Sequence, residues 1–144
     1  DLHSFPTRRS SDLEPDAAGS GHGVVNWETA TIKQILADSA DYTANVNTNQ
    51  DLVDVPAAAR VSTATLAGKT VTVVSNTATI DATDATHTAV TGDQCEVLVI
   101  YKDSGVEATS ILIVFFDTFT SGMPVTPNGG DILVQYNASG IFTW

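Results

Sequence analysis

CEVLVIYKDSGVEATSILIVFFD, residues 95–117, holds two short apolar runs around a polar break. Residues 97–101 and 111–116 are apolar at both parities. A strand with one wet face alternates, whereas a strand that is apolar on both faces is covered on both sides. The residue types (Val, Ile, Phe, Tyr) suit a pleated, packed surface. Asp103-Ser104-Gly105 and the polar residues after them supply a hairpin loop. The stretch therefore predicts two antiparallel strands at the centre of a β-structure, with Cys95 a small buried residue at the head of the first.

Working toward the C-terminus, SGMPVTPNGGD (121–131) breaks the pattern. Pro124 and Pro127 cannot donate to a ladder, and Asn128-Gly129-Gly130 reaches positive φ cheaply. This reads as a long, stiff loop. DILVQY (131–136) then alternates, residues 137–140 turn the chain, and IFTW closes it with an apolar strand that ties the C-terminus into the sheet.

Working toward the N-terminus, four short β-branched segments appear: THTAV (86–90), TATID (77–81), KTVTVVS (69–75, Val71 and Val73 on one face) and RVSTATL (60–66). Each is bounded by Asn, Asp or Gly. In VVNWETATIKQILADSADY (24–42), Ile32, Ile35 and Leu36 fit a helical spacing, but the Thr-rich run before them favours a strand. Residues 1–22 show no periodicity and read as a flexible arm. The expectation is an all-β fold: a single-domain β-sandwich or jelly-roll-like barrel of about eight to ten short strands over residues 23–144.

The chain has 144 residues, of which 42% are hydrophobic, enough for one domain with a real core. No apolar run approaches the ~20 residues of a membrane-spanning helix. The formal charge of −11, from 17 acidic and 6 basic residues, argues against nucleic acid and against anionic membrane surfaces. A single cysteine excludes an internal disulfide framework.

Chemistry is sparse. Two of the three histidines, His3 and His22, lie in the arm, and His87 sits in a Thr-rich strand. No zinc spacing and no nucleophile elbow is present, so neither a metal site nor catalysis is expected, and no cofactor. Asp38 and Asp41, or Asp81 and Asp84, offer oxygens for calcium but lack the density of a calcium loop, and read as turn caps. The TPNGGD turn has no G-K-[ST] and precedes a strand, which disfavours a phosphate cradle. Trp27, Tyr42, Tyr136 and Trp144 would bind sugar only if they formed an exposed platform. The best candidate contact surface is the stiff loop, through Met123, Pro124, Val125, Pro127 and Asn128, because a pre-organised loop loses little entropy on binding. The plainer reading is a rigid connection.

Two resemblances add to this. SFPTRRSSDL, residues 4–13, is identical to one reading frame of a widely used short-read sequencing adapter. The resemblance implies that residues 1–13 are adapter DNA translated within an assembled shotgun or environmental sequence. Removing them takes away two acidic and two basic residues and leaves the balance at −11.

The second covers residues 22–144. Residues 99–103 (VIYKD), 108–113 (ATSILI), 122–132 (GMPVTPNGGDI) and Ile141-Phe142 resemble the C-terminal half of a small tailed-bacteriophage protein family. Trp27, Asp41-Tyr42-Thr43, Pro56, Arg60-Val61 and Gly68-Lys69-Thr70 fit its N-terminal half. Phe115-Phe116 and Met123 depart from the pattern, in ways that suit packing. The resemblance implies a virion structural protein assembled in the cytoplasm of a bacterial host. It would be a capsid decoration or head/tail accessory protein that associates with itself and with other virion proteins. A carbohydrate- or receptor-binding module of a tail is the alternative. The resemblance supplies no catalytic residues.

Overall fold

The computed structural model describes residues 2–4 and 25–144. Residues 1 and 5–24, which hold the adapter-like stretch apart from Ser4 and most of the N-terminal arm, lie outside the described residues. Among the described residues ten strands form three antiparallel sheets and helix is confined to three 3-10 turns, Leu52–Asp54, Ala57–Ala59 and Glu107–Thr109. The all-β expectation holds, in a sandwich-like arrangement.

The central sheet is built on the two runs quoted above. β1 (Leu2–Ser4) lies at one edge, where no element was expected. Then come β8 (Leu112–Phe116), β7 (Val97–Lys102), β2 (Ile32–Ala37) and β3 (Arg60–Thr65), in the order β1-β8-β7-β2-β3. The second sheet runs β10-β5-β4, from β10 (Phe142–Thr143), β5 (Thr77–Asp81) and β4 (Thr70–Val74). β6 (Ala85–His87) and β9 (Ile132–Val134) pair as a third. Segment 24–42 thus yields a strand, not a helix, because each side of it buries apolar surface in the sheet.

The two-sided apolarity of β7 and β8 has a direct structural cause. Ile35, Ala37, Val97, Val99, Tyr101, Leu112 and Phe115 face one core, which residues 42–59 cover with Tyr42, Leu52, Val55 and Ala59. Ile32, Leu36, Leu98, Ile100 and Val114 face a second core, closed by Trp27, Leu66, Ile80, Ala82, Ala85 and Cys95. Burying each large aliphatic residue is worth roughly 1.5–3 kcal/mol. A bulge between Ile100 and Tyr101 resets the pairing with β8 and keeps both faces in phase.

Charged residues act at the margins. Arg60 donates to the carbonyls of Val55 (Nε, 2.8 Å) and Leu52 (Nη2, 2.7 Å), pinning the 42–59 cover to the start of β3, and it pairs with Glu107 at 2.5 Å. Lys33 pairs with Asp103 at 2.5 Å across the mouth of the β7–β8 loop. That contact raises the lysine pKa and holds the aspartate below its usual range.

Candidate functional site

The 121–131 loop is stitched down along its length. Val125 and Cys95 exchange main-chain bonds of 3.0 and 2.9 Å. Gly129 donates to Val90 O (2.8 Å), Val90 donates to Gly130 O (2.9 Å), and Asp131 Oδ1 accepts from Ala89 N–H (2.8 Å). Met123 and Val125 turn inward and pack on the second core, Pro127 is half-buried, and Pro124 and Asn128 are exposed. Asn128 Oδ1 accepts from Gly130 N–H at 3.0 Å and fixes the turn. The loop is rigid, as its composition predicts. Its apolar side chains hold it to the body, and only its prolyl and polar tips face outward.

A polar relay that the sequence pattern does not reveal crosses the second core. Gln34 shares its face of β2 with Ile32 and Leu36 and has no exposed surface; His87 is 1% exposed. Tyr136 Oη donates to Gln34 Oε1. The Gln34 amide is thereby oriented to donate from Nε2 to His87 Nε2 at 3.0 Å. His87 Nδ1–H is left to donate to Ser62 Oγ, also at 3.0 Å. Every polar atom of the relay is matched to a neutral imidazole. Burial pushes the His87 pKa down to about 4 and drives the Tyr136 phenol up. A serine beside a histidine suggests a nucleophile and base, but the third partner is an amide rather than a carboxylate, and the imidazole is sealed from solvent. The relay satisfies buried polar groups and specifies how the sheets pack.

The carboxylates divide in two. Asp81 Oδ1 caps Ala82 N–H (2.9 Å) and Asp84 Oδ1 accepts from Tyr136 N–H (2.9 Å), so both organise turns. Asp38 and Asp41 meet Asp93, with one oxygen of each within 4.8 Å of the others. Three oxygens could touch a hard cation, short of the six to eight that calcium takes. Asp38 also accepts from Ala40 N–H at 2.7 Å. The sequence points to Asp38 and Asp41 alone, since Asp93 comes from a distant turn.

Cys95 is fully buried, as expected, and burial pushes its thiol up to about 11. Trp27 is buried too. Its indole donates to Asp81 O (2.8 Å), and its ring meets Phe142 edge-on at 5.8 Å. Tyr42 is equally buried, and Tyr136 is held by Gln34. These three residues do not form the exposed platform that sugar binding needs.

Exposed apolar side chains gather instead on the β4-β5-β10 sheet, at Val73, Val74 and Trp144. Its registers place Val71, Ile80 and Phe142 in one row across the three strands, against the second core. The next row on the same face is Val73, Ala78 and Trp144. This row runs past the edge of the core, and Val73 is 67% and Trp144 61% exposed. The opposite face carries Thr70, Thr72, Thr77, Thr79 and Thr143, with exposed Val74 at the hairpin end and Asp81 at the other. Alternation in KTVTVVS and TATID marks the Val71–Val73 face in the sequence, but nothing there tells how far the core reaches. No protein-family model matches the chain, and no curated protein matches it.

Proposed function

We propose that this chain is a non-catalytic structural protein of a tailed-phage virion, a capsid decoration or head/tail accessory protein. Its partners are further copies of itself and other virion proteins. The virion context comes from the resemblance of residues 22–144 to a phage family. The observation that carries the structural role is the row Val73–Ala78–Trp144, whose exposed Val73 and Trp144 form an apolar ledge on a sheet whose other face is mostly threonine. Such a surface suits a protein partner. The acidic balance of the chain disfavours DNA as that partner.

The DNA on either side of the gene tests the virion context. Flanking terminase, portal or major capsid genes support it, and a metabolic operon overturns it. If a capsid gene lies beside it, co-expression and sedimentation provide the direct assay. The protein then travels with assembled particles and is depleted from the free fraction.

A further inference from the structure

We infer that the outer edge of β4 is a self-association site at which two copies pair antiparallel about Thr72, joining their sheets into one of six strands. The inference deepens the self-association part of the proposed function and does not depend on the virion context.

β4 is an edge strand, with β5 on one side and no strand on the other among the described residues. Ser75 and Asn76, at φ 49° and 66°, form a two-residue hairpin turn, so Val74 and Thr77 are the hydrogen-bonded pair that closes it. Pairs alternate along an antiparallel ladder, so Thr72 and Thr79 bond as well, whereas Val71 and Val73 do not bond to β5. The far side of β5 agrees: Ala78, opposite Val73, spends its N–H and C=O on Trp144 (3.1 and 2.8 Å). The N–H and C=O groups of Val71 and Val73 therefore point out of the open edge. Natural edges of this kind are blunted by charge, proline or bulges, and residues 70–74 contain none of these.

Charge selects the occupant. In a chain of net charge −11, residues 70–80 and 132–144 carry no charged side chain. Two acidic molecules repel over most of their surfaces, and here they do not. The acid at the end of β5, Asp81, is engaged in capping Ala82 N–H, so a basic partner would find little to pair with on these strands. The edge is also self-complementary. A two-fold axis at Thr72 sets Val71 of each copy opposite Val73 of the partner subunit, and both pairs exchange main-chain bonds. The exposed Val73 then lies beside the partner's Val71, at the rim of the partner's core.

The test is sedimentation equilibrium of the full chain from micromolar to near-millimolar concentration, with two variants. The wild type is expected to populate a dimer. Val73→Lys, a change at an exposed position, weakens it at least about tenfold while the thermal melt is retained. Leu133→Lys, at an exposed position on β9, leaves it unchanged. Thr72→Cys forms a disulfide dimer under mild oxidation, because residues at a non-hydrogen-bonded pair lie ~4.5 Å apart at Cα, within disulfide range. Thr118→Cys, exposed elsewhere, forms no disulfide dimer, and buried Cys95 does not compete. A wild type that remains monomeric throughout overturns the inference, even if flanking genes support a virion role. A dimer indifferent to Val73→Lys, or a Thr72→Cys chain that does not cross-link, overturns it equally.

Discussion

Acidification should unlock the second core through His87. Its imidazole has an ordinary pKa of about 6.5 in an unfolded chain and about 4 in the fold, because burial penalises the cation. The folded state thus binds fewer protons, and stability is present above pH 6.5 and falls as pH drops toward 4. The difference corresponds to roughly 3 kcal/mol at full protonation, and about 2 kcal/mol is already lost by pH 5. That is a large share of the ~5–15 kcal/mol of a typical domain. The geometry explains why no cheap relaxation exists. A proton on Nε2 would face the Gln34 amide, which is held as a donor by Tyr136 on its other side. Urea unfolding followed by the fluorescence of buried Trp27 at pH 7, 6 and 5 measures the slope. The carboxylates that the fold holds below their usual range, Asp103 and Glu107, titrate mostly below this window. His87→Gln is less stable throughout but should show a flatter slope, and it controls for His3 and His22. Equal slopes in the wild type and in His87→Gln would refute the reasoning.

Arg60→Ala should cost about 2–3 kcal/mol, because it orphans the Val55 and Leu52 carbonyls, whereas Glu107→Ala barely moves the urea midpoint. Met123→Ser and Val125→Ser should each lower stability by roughly 1–2 kcal/mol, read by thermal melting, since both side chains pack on the core. Intact melts would return the loop to the list of contact surfaces. The Cys95 thiol should resist a disulfide reagent at neutral pH in the native protein and react at once in urea, because it is both buried and raised to about 11. Native-state labelling at the unfolded rate would contradict the packing around it.

The all-β class, the pairing of the two apolar runs, the burial of Cys95 and the stiffness of the 121–131 loop were legible in residue order. Each rests on a local rule: period-two alternation, β-branched composition, or the missing N–H of proline. The N-terminal strand Leu2–Ser4 was not legible, since three residues carry no period and pair only because β8 offers them an edge. The relay was hidden for a related reason. Ser62, His87, Gln34 and Tyr136 are spread over a stretch of chain whose ends, Gln34 and Tyr136, lie 102 positions apart, and they meet only when the β6–β9 pair closes over the central sheet. The inward turn of Met123 and Val125, which the sequence offered as contact residues, and the exposure of Trp144 were not legible in residue order. Which side of a loop packs, and where a core stops beneath a sheet, depends on the neighbour across the gap. By itself the sequence determined most of the segments that are strands, all but Leu2–Ser4, and which of their faces are apolar. Only the tertiary structure decided which apolar faces are covered, because burial belongs to pairs of surfaces brought together by folding and not to either strand alone.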